Sequence, residues 1–164
     1  MNPEMVKEKL ASRFGDESIS VQTILDQVVV NVPGQLIVPI CEFVRDDPDL
    51  KFDFLSFVGA VDRMPESPRF ELIYQLYSTS SSERLRIKTR AIENESGEAS
   101  IDSVYGVWAS SNWHERETAE MFGIVFENHP DPRKLLLPDE WNAHPLRKDF
   151  PIMGTEQDTP DLSK

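Results

Sequence analysis

The sequence predicts an α+β fold: a mostly antiparallel sheet with helices packed on one face, followed by an extended, proline-rich C-terminal arm. Two stretches repeat apolar residues at helical spacing, and three β-branched or aromatic runs follow one another across short turns. Five prolines then crowd the segment between His129 and Pro151. A chain of 164 residues, 39 % of them hydrophobic, suits one domain with extensions.

In Pro3–Phe14, Met5, Val6, Leu10 and Phe14 recur at helical spacing, and Pro3 suits a helix start. The β-branched run 28–32 reads as a strand. Residues 35–44 place Leu36, Ile37, Ile40, Phe43 and Val44 on one side of a helix that Asp47-Pro48 stops. Strands are expected at 52–61, Phe70–Tyr77 and 85–92, and their short turns favour an antiparallel meander. Phe70, Leu72, Tyr74 and Leu76 share the face that should meet the helices. In the last strand Leu85 and Ile87 oppose a basic row of Arg84, Arg86, Lys88 and Arg90. That row is either a docking face for an acidic partner or acidic helix, or a solvated face paired with residues such as Glu71.

The next helix, 112–122, has Asn112 as a cap, Glu115 completing a capping box, Glu117 near its positive end and Gly123 as its stop. Trp113, Arg116, Glu117 and Glu120 share a stripe, so Arg116 should pair with Glu120 and lie over the Trp113 ring. Glu115 aligns with Ala119 and Phe122 on the apolar side and, if buried, needs a partner. Arg133, Arg147 and the basic row are the candidates. From His129 onward the prolines forbid long helices and central strands, so the arm should run over a surface, with 154–164 polar and mobile. The expected organisation is an α+β unit over 1–110, a helix and turn over 111–128, and the arm over 129–164.

A formal charge of −12 and a sequence pI near 4.6 disfavour nucleic acid and anionic membrane surfaces as partners. The single cysteine, Cys41, excludes an internal disulfide, a thiolate-held iron–sulfur cluster and the usual thiolate zinc sites, and is read as a small core residue. No apolar run approaches the roughly 18 residues that span a bilayer, and Met1-Asn2-Pro3-Glu4 lacks a signal-peptide pattern. A cytoplasmic protein that reaches the membrane only through partners is expected. The seven glycines stand alone, so no loop for NADH, flavin or ATP phosphates is formed.

A hydrolase reading would use Glu115 or Glu117 with His129 or His144 as acid and base, but no nucleophile motif accompanies them. The His114-Glu115 pair lacks the second zinc-protease histidine, because Thr118 stands there. His129 and His144 each precede a proline, Pro130 and Pro145, as in turns that present imidazole to a backbone group.

Glu115-Arg116-Glu117, Glu120, Met121-Phe122-Gly123-Ile124, Phe126, His129-Pro130 and Arg133-Lys134-Leu135-Leu136 resemble the signature of the complex I protein family called C, or J in photosynthetic NDH complexes. The run from Pro138 through Trp141, His144, Pro145, Leu146, Arg147, Lys148 and Asp149 to Pro151 extends the resemblance without a gap. Ala119 departs from it, since the family usually carries an aromatic residue there, so the stripe with Phe122 should pack less deeply or be filled by another side chain.

The resemblance implies a structural subunit of the peripheral arm of a proton-translocating NADH:quinone oxidoreductase (respiratory complex I). It would dock on the D subunit beside the quinone-reducing region, on the cytoplasmic side of the membrane. It implies no cofactor on this chain; FMN, iron–sulfur clusters and quinone belong to partner subunits. The partner-binding residues it implies are those quoted together with Trp113; the arm with Arg133, Lys134, Arg147 and Lys148 would lie across the neighbour, with Trp141, His144 and Leu146 as its anchors and Arg147-Lys148-Asp149 making charge-assisted contacts. The same signature marks homologous subunits of membrane-bound hydrogenases and of ferredoxin- or F420-dependent complexes.

Overall fold

The computed structural model describes residues 2–15 and 19–151, so 154–164, expected to be mobile, lie outside the described residues. Asn2 accepts from the amide of Glu4 and caps helix α1 (Pro3–Phe14), which buries Val6 and Leu10. A hairpin follows, β1 (Ser20–Ile24) and β2 (Gln27–Val32), turning on Leu25 and Asp26, both at positive φ. One 3-10 turn (Gly34–Leu36) leads into α2 (Ile37–Asp46), whose buried stripe is Ile37, Ile40, Cys41 and Val44. The meander β3 (Phe54–Asp62), β4 (Phe70–Tyr77) and β5 (Arg84–Arg90) is antiparallel, as the short turns imply.

The first sheet runs in the order β1-β2-β5-β4-β3, and its β2–β5 pairing is parallel. β4 alternates without a break: Phe70, Leu72, Tyr74 and Leu76 are buried, and the residues between them are half-buried. Its inward face joins α1 and α2 in one core cluster that includes Phe52, Leu55, Leu85 and Ile87. A second sheet, which the sequence pattern does not announce, is built from β6 (Ile92–Glu93), β7 (Ala99–Asp102) and β8 (Ile124–Glu127), with β7 and β8 parallel. Between those two strands runs α3 (Ser111–Phe122), which packs along β3 at the edge of the first sheet. Trp108 anchors the approach to α3, its indole N–H donating to the Phe52 carbonyl at 3.2 Å. After β8, residues 128–151 contain turns and bends only. No helix among the described residues is long and apolar enough to cross a membrane.

Candidate functional site

The segment carrying the resemblance is built around α3, and its arm folds back over its own chain. The helix starts at Ser111 with Ser110 in the cap position and no side-chain capping bond, which corrects the capping box expected from Asn112 and Glu115. That start puts Glu115 in the second turn and inward, fully buried. Its carboxylate accepts from the Ser103 hydroxyl and from the Val104 amide at 2.9 Å. None of Arg133, Arg147 and the basic row is the partner: Arg133 pairs with Asp131 and Arg147 with helix-end carbonyls. Burial pushes the Glu115 carboxyl up, opposed by these hydrogen bonds. His129 accepts from the Asp131 amide at Nδ1, so the proton of the neutral ring sits on Nε2, 3.7 Å from Glu115 and beyond hydrogen-bond reach.

One turn on, Glu120 accepts from three successive arm amides, Leu135, Leu136 and Leu137, at 3.0, 2.9 and 3.2 Å. Arg116 does lie over Trp113, at 5.6 Å, but it turns to the arm rather than to Glu120. It donates to the carbonyls of Arg133 and Lys134 at 2.8 and 3.0 Å and pairs with Asp131 at 3.3 Å. The helix thus presents a carboxylate to the arm's N–H groups and a guanidinium to its C=O groups, satisfying a stretch of backbone that has no strand partner. Lys134 closes the next loop by donating to the carbonyls of Pro138, Asp139 and Trp141.

The arm also caps the helix C-terminus, where the last carbonyls lack helical partners. His144 Nδ1 bonds the Glu120 carbonyl at 2.8 Å, the Leu146 amide reaches Met121 at 3.2 Å, and Arg147 donates to Phe122 at 2.6 Å and Gly123 at 3.3 Å. The cation suits the negative helix end. Gly123 is left-handed at φ 69°, and a Cβ there would strike Arg147 and His144. Gly123→Ala is expected to cost about 2 kcal/mol or more and to lift the arm from the helix end, read by thermal denaturation and by proteolysis at 143–148.

At its far end the arm is pinned to the first sheet. Asp62, nearly buried, accepts from Arg69 at 2.9 and 2.6 Å and from the amides of Lys148 at 2.8 Å and Met64 at 2.9 Å. Arg69 also grips Asp149 at 2.8 and 2.9 Å, and Lys148 Nζ donates to the Met64 carbonyl at 3.0 Å.

Of the sequence-predicted interface residues, Glu115, Arg116, Glu120, His129, Lys134, His144, Arg147, Lys148 and Asp149 are thus engaged within the chain. Trp141 and Pro145 are half-buried, while Trp113, Glu117, Pro130, Arg133 and Leu146 face outward. Trp113 is 61 % exposed and Leu146 56 %. Sequence reasoning misses Asp62 and Arg69, which lie in the first sheet far from the arm along the chain. Their pairing across 86 and 80 residues leaves no local pattern.

The profile of the family described as "Respiratory-chain NADH dehydrogenase, 30 Kd subunit" matches residues 30–156. The chain belongs to that family. The C subunit of the NADH-quinone oxidoreductase of Geotalea uraniireducens (strain Rf4) is 40 % identical over 150 residues, covering 92 % of this chain and 88 % of that protein. The C 2 subunit of the same enzyme in Rhizobium etli (strain CIAT 652) is 40 % identical over 154 residues, covering 94 % and 80 %. Among solved structures, a chain of the membrane-bound sulfane sulfur reductase, an archaeal respiratory membrane complex, superposes with a TM-score of 0.75 at 21 % identity, covering 92 % of this chain and 85 % of that one. At that identity the likeness speaks for the fold.

In this member of the 30 kDa family the small Ala119 leaves space on both sides, a cleft of about 200 Å³ bordered by Glu115, Phe126 and His129 and another of about 340 Å³ bordered by Trp141 and His144. Phe122, on the same stripe, is nonetheless buried in the core, its ring 6.2 Å from that of Phe70. Glu115 should therefore matter for hydrogen bonding rather than for bulk. Glu115→Gln is expected to stay within about 1 kcal/mol of the parent at pH 7, whereas Glu115→Leu loses about 2 kcal/mol or more by stranding the Ser103 and Val104 donors. Because the folded-state pKa is raised, the penalty of burying the charge is full above that pKa and fades as pH falls toward the unfolded value of about 4.3. Thermal melts from pH 8 to about 4 should show parent and Gln variant converging on the acid side.

Proposed function

We propose that this chain is a non-catalytic, cofactor-free structural subunit of the peripheral arm of a proton-translocating NADH:quinone oxidoreductase. It docks on the D subunit near the quinone-reducing region, on the cytoplasmic side of the membrane. The observation that carries this reading is the clasped arm: a signature rich in Trp, Arg and His folds back on α3 with its polar groups bonded to backbone, leaving large apolar side chains outside. Trp113 on α3 is 61 % exposed, and Phe57 on the edge strand, 48 % exposed, shares a shallow cleft with Leu146. Large exposed aromatics on a preordered support are what binding hot spots are made of.

Within the chain, Lys134, Arg147 and Lys148 bond to backbone groups and hold the arm in place, so less ordering entropy remains to oppose docking.

The relatives named above, C subunits of NADH-quinone oxidoreductases, favour the respiratory enzyme over the homologous subunits of membrane-bound hydrogenases and of ferredoxin- or F420-dependent complexes. A free-standing hydrolase is disfavoured by geometry. Ser103, Glu115 and His129 gather, but the Ser103 hydroxyl donates to a carboxylate that is fully buried, and the Nδ1 of His129 accepts from the Asp131 amide, so no imidazole is placed to activate the serine toward substrate.

The test is Trp113→Glu in the full chain, produced in cells that make the complex. An unchanged melting temperature with at least about tenfold less recovery with the D subunit supports the reading; undiminished recovery overturns this surface as the docking site.

A further inference from the structure

The outer face of the first sheet divides the basic row in two. At one end Glu71 takes three cations, Arg63 at 2.9 Å, Lys88 at 3.3 Å and Arg90 at 3.9 Å, and Arg90 also pairs with Glu66 at 2.6 Å. That half is a cross-strand network within the chain. At the other end, among the described residues, no carboxylate pairs with Arg84 or Arg86; Arg86 donates to the neutral Gln75 at 3.1 Å. Nearby Asp53 is engaged by Thr79, through its amide at 2.9 Å and its hydroxyl.

These two arginines border a groove of about 500 Å³ across the ends of β2, β5, β4 and β3, lined also by Gln27, Phe54, Ser56, Gln75 and Tyr77. Phe54 is 49 % exposed. The helices pack on the opposite face of the sheet, so nothing in the described chain covers the groove.

We propose that this groove is a second docking site, taking an acidic segment of a neighbouring protein in the assembly that sets carboxylates on Arg84 and Arg86 and an apolar side chain against Phe54 and Tyr77. Charge complementarity carries the assignment. Arg84 and Arg86, side by side on one strand face and without an ion pair to a carboxylate among the described residues, stand out in a chain with net charge −12 and favour acidic side chains over basic ones. The guanidinium fork matches a carboxylate in two hydrogen bonds, and the exposed aromatic ring adds a contact that a dissolved anion would not use. A polyanion such as nucleic acid would meet the remaining negative charge of the chain over most of its length. The inference rests on the proposed function only in that the neighbour belongs to the same assembly.

The test is photo-cross-linking from the groove in the assembled complex. The full chain carrying Phe54→benzoylphenylalanine is produced in its native cells, irradiated, purified through a tag, and the cross-linked peptide sequenced. The proposal expects one peptide from another protein of the complex with at least two Asp or Glu near the cross-linked residue. Its yield should fall about tenfold or more with Arg84→Glu/Arg86→Glu, persist with Arg84→Lys/Arg86→Lys, and weaken as salt rises from about 0.05 to 0.5 M. An unchanged melting temperature of the charge-reversed chain shows that the loss is not unfolding. No cross-link, a cross-link to lipid or nucleic acid, or a peptide without acidic residues overturns it. If the chain co-purifies with an NADH-oxidising complex yet the groove captures nothing, the groove assignment fails and the proposed function stands. If the chain lacks that complex, the proposed function fails, while an acidic peptide from whatever assembly holds it still upholds the groove.

Discussion

Replacing Glu120 by alanine is expected to unfasten the arm and cost about 3 kcal/mol, a large share of the stability of a domain this size. The carboxylate is nearly buried and accepts the three successive amides of residues 135–137. Hydrogen bonds to a charged acceptor contribute about 1.5–3 kcal/mol each, and three on one group are not additive. Without it the amides of 135–137 have only water as partner, so hydrogen exchange there should accelerate while the amides of β4 keep their protection. Glu120→Gln, which keeps one acceptor oxygen, should fall between parent and alanine variant. Unchanged exchange at 135–137 in the alanine variant would show that the arm is held by other means.

Asp62→Ala is expected to have a comparable effect at the other end of the arm, about 3–5 kcal/mol, because it leaves the Arg69 guanidinium without its buried partner and the Lys148 amide without an acceptor. The Arg69 guanidinium first, and then the Lys148 and Met64 amides, hold the Asp62 carboxyl well below the usual carboxylate range despite its burial. The folded-state pKa is depressed, so the stabilisation is fully present above the unfolded value of about 3.9 and is lost as pH falls below it toward the folded pKa. The parent should therefore lose stability between about pH 4 and pH 2 more steeply than Asp62→Asn, and the two acid-denaturation curves should approach each other at the lowest pH. Parallel curves would mean that Asp62 is not what ties the arm to the sheet in acid.

How much of this is legible in the sequence depends on how local the signal is. The helix Pro3–Phe14 and the strand Phe70–Tyr77 match their expected bounds, because helical spacing in the first and strict alternation in the second are carried by consecutive residues. The stop at Gly123 is readable for the same reason, and so are the two His-Pro turns, where His144 indeed meets a backbone carbonyl and His129 a backbone amide. β1 escapes because its residues are almost all exposed and show no alternation. The second sheet escapes because its strands are two to four residues long. The parallel pairing of β2 with β5 joins residues that no turn connects.

In the site, the i,i+4 pairing of Arg116 with Glu120 fails on a general point. A weak surface ion pair loses to charge-assisted bonds with backbone that would otherwise lie unpaired. A signal for Glu120 is present: Leu135-Leu136-Leu137 lies between Pro132 and Pro138, where no strand ladder can form, so its amides need an acceptor from elsewhere. Glu115 shows the converse. Its inward position follows from its alignment with Ala119 and Phe122, but its partners, Ser103 and Val104, come from the turn after β7 and cannot be read from helix spacing.

The measurement that tests the central claim most directly is affinity purification of the tagged chain from its native membranes in mild detergent, with mass spectrometry of the co-purifying proteins and an assay of NADH:quinone activity. Recovery with flavin, iron–sulfur and antiporter-like membrane subunits, the D subunit among the most abundant, together with that activity, is the predicted result. Recovery with nickel–iron hydrogenase subunits, or of the chain alone, would contradict it.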